Sequence, residues 1–479
     1  DGLHGDDQLG SFKQGVIKMA KFIFPKANPV EMKDSYDFVV IGSGAAGMTA
    51  AIQAQELGLD VAIFEKLAVL GGNSNRASSG VETFVQLQNG IVDSQESFYE
   101  DTLKGGGGTN DTELLHYFVT HTESAIDWLY NHNINLTDIT STGGMSQKRA
   151  HRPGDKSAVG GYLVKGLQKQ LAYKQIPLFA GTKVLELIKS GDQVTGLKIN
   201  NDQIGEKTVN AKAVLIAAGG FAQNREMLAE YAPKLLDLKT TNHPGATGDG
   251  MKLATAVGGT LVDMNKIQIH PTAQQDTDHV YLIGEGVRGE GAILVNRAGQ
   301  RFVNEMTTRD KATAAINDLH EDGATLILDQ GIRDAFKAID FYYAMGLVMK
   351  GATLAELADK ANLDAKNLEE TVAKWNEFQA AGEDTEFGRT TAMDRGITTG
   401  PFYAIHIKPA IHYTMGGIKI NKLTEVLTEA GDAISGLYAA GEVTGGLHGN
   451  NRIGGNSISE TVVFGRQAGK QAAKYVLDL

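Results

Sequence analysis

The pattern of hydrophobic and polar positions between residues 37 and 65 predicts a β–α–β unit. A run rich in β-branched residues follows Asp37, then come a glycine-containing turn and an alanine-rich stretch, and a second apolar run ends at Glu65. Short apolar runs bounded by turn residues are typical of buried strands, and an alanine-rich stretch of this length is typical of a helix. We therefore expect two parallel strands joined by a helix.

Four other segments predict elements from their patterns. Residues 213–222 and 436–446 are apolar runs that end in glycine, so each predicts a strand. Residues 354–382 have apolar positions at helical spacing and predict amphipathic helices. Residues 1–35 combine a weak helical pattern with a proline-bounded breaker stretch, which predicts an N-terminal helix and a linker.

The glycines of the first turn indicate a dinucleotide site. Gly42 suits the tight turn, Gly44 a close approach to pyrophosphate, and Gly47 the contact between helix and strand. The helix N-terminus attracts phosphate, and Glu65 stands where an acid bonds a ribose hydroxyl. A chance glycine turn is the alternative, but the strand before it, the helix after it and the acid favour the dinucleotide.

The number of glycine-ended strands favours FAD over NAD. Gly71 to Ser74 follow Glu65 closely, and both later strands also end in glycine. Several such strands converging on one ligand suit the long, buried FAD, whereas NAD uses one β–α–β unit. Glycine makes up 58 of 479 residues, about 12% against a usual ~7%, as expected for backbone brought close to a ligand. Ordinary tight packing of strand ends is the alternative.

Composition and charge exclude several classes of protein. A chain of 479 residues suffices for two or more domains. The absence of cysteine excludes disulfides, thiolate nucleophiles and Fe–S clusters, so redox chemistry requires a bound organic cofactor, and it favours an extracytoplasmic location. The net charge of −12 disfavours nucleic acid, and no apolar run approaches the ~20 residues of a membrane span, so we expect a soluble chain.

Histidines and arginines concentrate in two glycine-rich segments, residues 270–310 and 412–452. Five side chains stand out there: His270, Arg288, Arg309, His412 and Arg452. Arginine grips a carboxylate through a planar fork, and a local cationic pocket can overcome the field of an acidic protein, which is screened beyond ~8 Å. Each residue alone has an alternative as a surface or ion-paired group. Their concentration predicts a carboxylate-binding pocket beside the flavin.

Longer segments resemble a known family. The chain resembles the FAD-binding flavoproteins of the succinate dehydrogenase and fumarate reductase superfamily, most closely the soluble flavocytochrome c fumarate reductases and their urocanate- or acrylate-reducing relatives. The resemblance runs from about residue 36 to the C-terminus. It rests on six segments: QKRAHRPGD (147–155), NHPGATGDG (242–250), IHPTA (269–273), EGVRGEGAILVNRAGQRFVNEMTTRD (285–310), IHYTMGGI (411–418) and GEVTGGLHGNNRIGGNSISE (441–460).

The resemblance implies an α/β fold in which an FAD-binding Rossmann-like domain carries an inserted α+β capping domain. Residues 36–265 and 414–479 are expected to form the FAD-binding domain, a parallel sheet with helices on both faces. Residues 266–413 are expected to form the substrate-capping domain, and residues 1–35 the N-terminal helix and linker. The active site is then expected at the junction of the two domains.

The resemblance also implies how the substrate is held. In such reductases a histidine and an arginine hold one carboxylate, which here match His412 and Arg452, and a second histidine, matched by His270, holds the other. Gly455 is a further expected substrate-binding position. Flavin N5 then delivers a hydride to the C=C bond.

Proton delivery has its own implied residues. The family's donor is an arginine, matched by Arg309, and the relay that recharges it is matched by Glu285 and Arg288. Arginine is normally too weak an acid for this, so the proton must leave only as carbanion character develops. A plain ion pair is the alternative for Glu285.

The resemblance implies FAD contacts at fourteen positions and a Na⁺ site held by backbone carbonyls. The FAD positions are Gly42, Gly44, Ala46, Gly47, Glu65, Asn73, Ser74, Gly80, Val184, Gly219, Asp249, Glu442, Ser457 and Ile458. The Na⁺ positions are Thr414, Met415, Gly416, Glu442 and Thr444.

One position departs from the pattern of these reductases, and two further features distinguish the chain from particular relatives. Gly284 stands where these reductases carry a threonine that bonds the second carboxylate, so either water fills the gap or the substrate differs from fumarate. Gly286 replaces the acid of urocanate reducers, which argues against urocanate. Residues 73–76 contain no histidine of the kind that attaches FAD in the membrane-bound relatives, which predicts non-covalent FAD.

The sequence therefore predicts an FAD-dependent fumarate reductase that forms succinate. The alternatives are a reductase of another α,β-unsaturated carboxylate, such as acrylate, methacrylate, cinnamate or urocanate, and a flavin electron carrier without a substrate. Because the chain contains no haem-attachment motif, the electron donor is expected to be external: a separate protein, a reduced flavin, or a domain ahead of Asp1.

Overall fold

The computed structural model describes residues 21–85 and 90–478. Its strands are β1 (Ser35–Ile41), β2 (Val61–Phe64), β3 (Val81–Glu82), β4 (Asp138–Thr140), β5 (Ala150–Arg152), β6 (Leu178–Phe179), β7 (Thr182–Ser190), β8 (Gln193–Asn201), β9 (Gly205–Ile216), β10 (Leu261–Val262), β11 (Ile267–Gln274), β12 (Tyr281–Leu282), β13 (Ile293–Val295), β14 (Ala324–Asp329), β15 (Met349–Gly351), β16 (Phe402–Thr414), β17 (Gly417–Lys419), β18 (Glu425–Leu427), β19 (Ala433–Ala439) and β20 (Thr444–Gly445).

The helices follow the same chain order. They are α1 (Ala45–Glu56), α2 (Gln95–Gly105), α3 (Thr112–Asn131), α4 (Val159–Tyr173), α5 (Arg225–Tyr231), α6 (Asp249–Ala256), α7 (Gly286–Gly289), α8 (Arg309–Asp318), α9 (Gln330–Ala335), α10 (Ala338–Ala344), α11 (Leu354–Ala361), α12 (Ala365–Ala381) and α13 (Asn456–Leu477). Short 3₁₀ helices cover Pro29–Glu31, Gly72–Arg76 and Pro233–Leu235.

The main sheet is built on parallel strands in the order β19, β9, β1, β2, β6. The predicted β–α–β unit is confirmed, because β1 and β2 pair in parallel, with Val39 opposite Ala62, and α1 connects them. The two glycine-ended runs are the strands β9 and β19, as predicted. The antiparallel strands β7 and β8 extend the sheet beside β9. The parallel strands β19, β9, β1, β2 and β6 therefore have their carboxyl ends at the same edge of the sheet.

A second sheet lies over a separate hydrophobic core. Strands β12, β11, β16, β14 and β13 pair in that order, and the long strand β16 joins all its partners in antiparallel register. The core of this layer contains buried residues between Ile283 and Ile407, whereas the main core draws on residues before 265 and after 410. The domain boundaries given above remain a prediction.

The remaining pattern-based predictions have mixed outcomes. The amphipathic stretch at 354–382 forms α11 and α12, which are separated at Asn362, where the backbone is left-handed with φ 54°. Most of the predicted N-terminal helix lies outside the described residues, and residues 21–28 contain no helix. Within the described ranges no helix has both the length and the apolar character needed to cross a bilayer.

Candidate active site

A cavity of about 1420 Å³ opens at the carboxyl edge of the main sheet. The ends of β1, β2, β9 and β19 line it, and the second layer contributes Leu282, Arg309 and His412. Ligands of open α/β sheets bind at this edge. The lining therefore joins the turn after β1 and side chains of the second layer around one cavity.

Two glycines allow the backbone of the loop after β1 to pack closely against neighbouring backbone. A Cβ on Gly42, whose φ is 111°, would lie 2.2 Å from the carbonyl oxygen of Ala217. A Cβ on Gly47 would lie 2.2 Å from the carbonyl oxygen of Gly42. Neither position accepts a side chain, so the backbone and the N-terminus of α1 remain open to a phosphate group.

The acid at the end of β2 is held in place by this loop. Glu65 Oε2 accepts hydrogen bonds from the Ser43 N–H at 3.1 Å and the Ser43 hydroxyl at 2.6 Å. Its Oε1 accepts from the Leu67 N–H at 2.9 Å. Ser74 adds a link, because its hydroxyl oxygen accepts from the Ala45 N–H at 3.0 Å. The glycine cradle, the fixed acid and the long cavity together fit FAD.

Two histidines, His270 and the partly buried His412, mark the other end of the cavity. The His270 ring is fully buried, and its centroid lies 5.0 Å from that of His412, edge to face. The Thr272 N–H donates to His270 Nδ1 at 3.1 Å, so the ring hydrogen of a neutral His270 sits on Nε2. His412 Nδ1 lies 2.6 Å from the Thr241 hydroxyl.

Both histidines are neutral at physiological pH. Burial, and then the positive charge of Arg309, holds the pKa of His270 and the pKa of His412 well below the usual 6.5. His270 Nε2 is buried, and no described group accepts its hydrogen. An anionic ligand at this point would satisfy that donor.

Arg452 carries a positive charge at neutral pH. Its guanidinium lies 4.2 Å from the centroid of the Tyr413 ring, and its Nε has no partner within the described ranges. Burial lowers the pKa of Arg452 to about 10, so the group stays protonated at neutral pH. Gln268 Nε2 donates to the Arg452 carbonyl oxygen at 2.6 Å and thereby fixes the loop that carries it.

Arg309, Glu285 and Arg288 form a buried chain of charges. Glu285 Oε1 lies 3.5 Å from Arg309 Nε and 3.5 Å from Arg288 Nη2. Burial raises the pKa of Glu285, but Arg309 and Arg288 outweigh it, so the pKa lies below 4.5 and the group is ionised. Arg309 Nη1 also donates to Gln268 Oε1 at 3.1 Å, which links the chain to the Arg452 loop.

Comparison with known proteins agrees with this geometry. A family model described as an FAD binding domain matches residues 37–458. Over 443 residues the chain is 48% identical to the NADH:fumarate oxidoreductase of Klebsiella pneumoniae (strain 342), which covers 92% of this chain and 48% of the relative. Over 446 residues it is 43% identical to the fumarate reductase (cytochrome) of Shewanella frigidimarina, which covers 92% of this chain and 78% of the relative. The chain belongs to this FAD-binding family of fumarate reductase flavoproteins.

A solved structure supports the same assignment. The open conformation of a flavocytochrome c3 fumarate reductase superposes with a TM-score of 0.74 at 37% identity and covers 94% of this chain and 80% of that one. The predicted fold class, the FAD cofactor and the prediction of an FAD-dependent oxidoreductase are thereby confirmed. The chain spans about half the length of the first relative.

In this flavoprotein the structure brings most of the predicted site residues to one cavity. Those that line it are Gly42, Gly44, Ala46, Glu65, Asn73, Ser74, Val184, Gly219, Asp249, Arg309, His412, Glu442, Arg452, Gly455, Ser457 and Ile458. Five others are not part of its lining: Gly47, Gly80, His270, Glu285 and Arg288. Their roles, and the Na⁺ site, remain predictions; the described residues contain no cluster of His, Asp and Glu that could hold a metal.

Sequence reasoning missed three positions in the flavoprotein site. Gln268 joins Arg309 to the Arg452 loop, and its position two residues before His270 on β11 was the available signal, since such residues share a strand face. Thr241 bonds His412 from a separate loop, which no spacing indicates. Glu82, fully buried, accepts from the Thr142 hydroxyl at 2.6 Å, and burial raises its pKa to about 8.

Proposed function

We propose that this chain is the flavin-containing catalytic part of a fumarate reductase. The observation that carries the proposal is the pair of buried donors without partners in the described structure, His270 Nε2 and Arg452 Nε, at the end of the cavity away from the dinucleotide cradle. Buried polar groups are nearly always hydrogen-bonded, so such donors in the described structure call for a ligand with acceptor oxygens. A carboxylate has that chemistry.

The charge of the pocket supports a dicarboxylate. Arg288, Arg309 and Arg452 carry three positive charges against the one negative charge of Glu285, while both histidines are neutral. The net charge of these four ionised side chains is therefore +2, and Glu442, whose pKa burial raises to about 7, removes less than one unit of it at neutral pH. The surplus exceeds the charge of a monocarboxylate and favours a dianion, because an unpaired buried charge is costly.

The chemistry follows from the placement of the side chains. FAD bound in the cradle would supply a hydride for one carbon of the C=C bond. His270, His412 and Arg452 hold the carboxylates, withdraw electron density from the double bond and fix its orientation. Arg309 gives a proton to the other carbon, which completes the saturated acid. Glu285, 3.5 Å from Arg309 Nε, returns a proton to the guanidinium, and Arg288 recharges Glu285.

A second substrate class is supported by one position. Gly284 directly precedes Glu285 and offers no side chain to a carboxylate. Another unsaturated carboxylate, of the acrylate, methacrylate, cinnamate or urocanate type, is the alternative substrate.

The binding mode of FAD and the electron source are part of the proposal. The segment Asn73–Arg76 holds no histidine, cysteine or tyrosine to form a covalent bond, which supports non-covalent FAD. Electrons then come from an external donor: a separate protein, a reduced flavin or a further domain. The absence of cysteine supports an extracytoplasmic location.

Anaerobic flavin reoxidation tests the proposal. The bound flavin is reduced with dithionite, and its reoxidation is followed after fumarate, acrylate, methacrylate, cinnamate or urocanate is added. We expect fast reoxidation by fumarate. If only a monocarboxylate reoxidises the flavin quickly, the substrate belongs to the second class. If none of the five acids reoxidises it, the protein is better explained as a flavin electron carrier.

A further inference from the structure

Ser78 fills the space in front of Gly284. A Cβ built on Gly284 would lie 2.7 Å from both the Cβ and the hydroxyl oxygen of Ser78, closer than Cβ atoms in proteins approach their neighbours. The next contact, Phe336 Cζ at 3.4 Å, is an ordinary van der Waals distance. The φ of Gly284 lies outside the left-handed region, so Ser78 is what makes a side chain at this position unfavourable.

The Ser78 hydroxyl is available to a ligand. Ser78 lines the same cavity as Arg309, His412 and Arg452 and is only partly buried. No hydrogen bond is found between its hydroxyl and another described residue, whereas its neighbour Arg76 donates to a backbone carbonyl oxygen. The backbone of Gly284 is held from the opposite side, because its N–H donates to the Tyr342 hydroxyl at 3.0 Å.

The position of Gly284 places this hydroxyl near the reacting groups. Gly284 directly precedes Glu285, whose Oε1 lies 3.5 Å from Arg309 Nε, and Leu282, two residues before Gly284, lines the cavity. Its packing against Gly284 therefore places the Ser78 hydroxyl beside the segment that carries Glu285. Its free O–H is a donor of the kind that a carboxylate oxygen accepts.

We infer that the Ser78 hydroxyl donates a hydrogen bond to a carboxylate of the substrate, and that the missing side chain at Gly284 makes room for it. Ser78 is thus a substrate-binding residue that comes from the loop after the 3₁₀ helix Gly72–Arg76 and packs against the segment that carries Glu285. This inference rests on the proposed function.

Steady-state kinetics of the holoenzyme with reduced viologen as donor test the inference. Ser78→Ala removes the hydroxyl and keeps the Cβ. A hydrogen bond to a charged group corresponds to about a 10- to 100-fold change in affinity, so we expect KM for fumarate to rise by about that factor while flavin content is unchanged. Ser435→Ala, an exposed serine of β19 outside the cavity lining, is the matched control and should leave KM unchanged.

A double substitution separates the hydroxyl from general effects on folding. In the natural background Gly284→Thr meets the Ser78 side chain and should weaken fumarate binding. In a Ser78→Gly background the clash is gone, and the same Gly284→Thr should recover most of the lost affinity by supplying a hydroxyl from the opposite side. This reversal of sign is not expected from a merely structural role.

Two results overturn the inference, and they are distinguishable. If the natural chain is reoxidised by fumarate but Ser78→Ala keeps KM within twofold, or Gly284→Thr acts alike in both backgrounds, the role of Ser78 is refuted and the proposed function stands. If no unsaturated carboxylate reoxidises the natural chain, the proposed function is refuted, and the role of Ser78 with it.

Discussion

Replacing Gly454 with alanine displaces the Glu285 carboxylate without changing any functional group. A Cβ on Gly454 would lie 2.1 Å from Glu285 Oε2 and 2.8 Å from Arg309 Nη2, while real Cβ atoms essentially never come closer than 3.0 Å. The carboxylate must therefore move by 0.9 Å, the difference between 3.0 and 2.1 Å. The φ of Gly454 is not in the left-handed region, so alanine adds no backbone strain.

The displacement sets the size of the expected effect. A misplacement of about 1 Å at a reacting group can cost roughly 100-fold in rate, or about 2.7 kcal/mol of activation free energy. We expect the single-turnover rate of flavin reoxidation by fumarate to fall by about that factor. Flavin content should not change, because Gly454 does not line the cavity.

A second glycine supplies the control for this experiment. Gly161 lies in α4, where an added Cβ meets nothing within 4 Å, so Gly161→Ala should keep full activity and gain stability. A reoxidation rate for Gly454→Ala within threefold of the natural chain would refute the reasoning. The spacing of Glu285 and Arg309 would then not limit proton delivery.

Two further predictions concern single side chains. Arg309→Lys should lower turnover by at least ~1,000-fold while flavin absorbance and dicarboxylate binding persist, because lysine cannot contact both Glu285 and Gln268; near-normal turnover would contradict the assignment. Burial raises the pKa of Glu82 from 4.5 to about 8, so the folded chain keeps a proton that the unfolded chain releases. The free energy of unfolding should therefore fall between pH 4.5 and 8, and Glu82 should contribute about 1.4 kcal/mol per pH unit to that fall. Glu82→Gln should remove this contribution, which urea unfolding of both chains at pH 5 and at pH 8 measures. Equal slopes in both chains would show that Glu82 does not titrate in this range.

The parts of the structure that depend on local sequence could be predicted from it. The β–α–β unit follows from apolar runs and glycine spacing within 30 consecutive residues, and the turn at Gly42 admits no side chain, as the motif requires. The gathering of His270, Arg309, His412 and Arg452 was predicted from their concentration in two glycine-rich segments together with the family resemblance. The pairing of β11 with β16 and the position of α8 are what bring these residues together.

The parts that depend on contacts between distant segments could not be predicted. Ser78 and Gly284 are far apart in the chain, so their steric exclusion has no sequence pattern, and Gly284 by itself indicated only a lost hydrogen bond. The link from Arg309 through Gln268 to the Arg452 loop likewise needs three segments to meet. Glu82 looks like an ordinary strand residue until its complete burial is known.

Arginine and neutral histidine would let an acidic chain hold the proposed dianion over a range of pH. Burial keeps the two histidines neutral but leaves Arg452 protonated, because the pKa of Arg452 is still about 10. The pocket therefore keeps its positive charge well above neutral pH. Burial also raises the pKa of Glu442 to about 7, so this cavity-lining group removes less than one unit of that charge at neutral pH. Because the histidines have no proton to lose near pH 7, their hydrogen-bond roles stay fixed: His270 remains a donor through Nε2, held so by the Thr272 N–H. Arg452 therefore supplies both charge and a donor, whereas His270 supplies a donor that does not depend on charge, and neither changes its protonation near neutral pH.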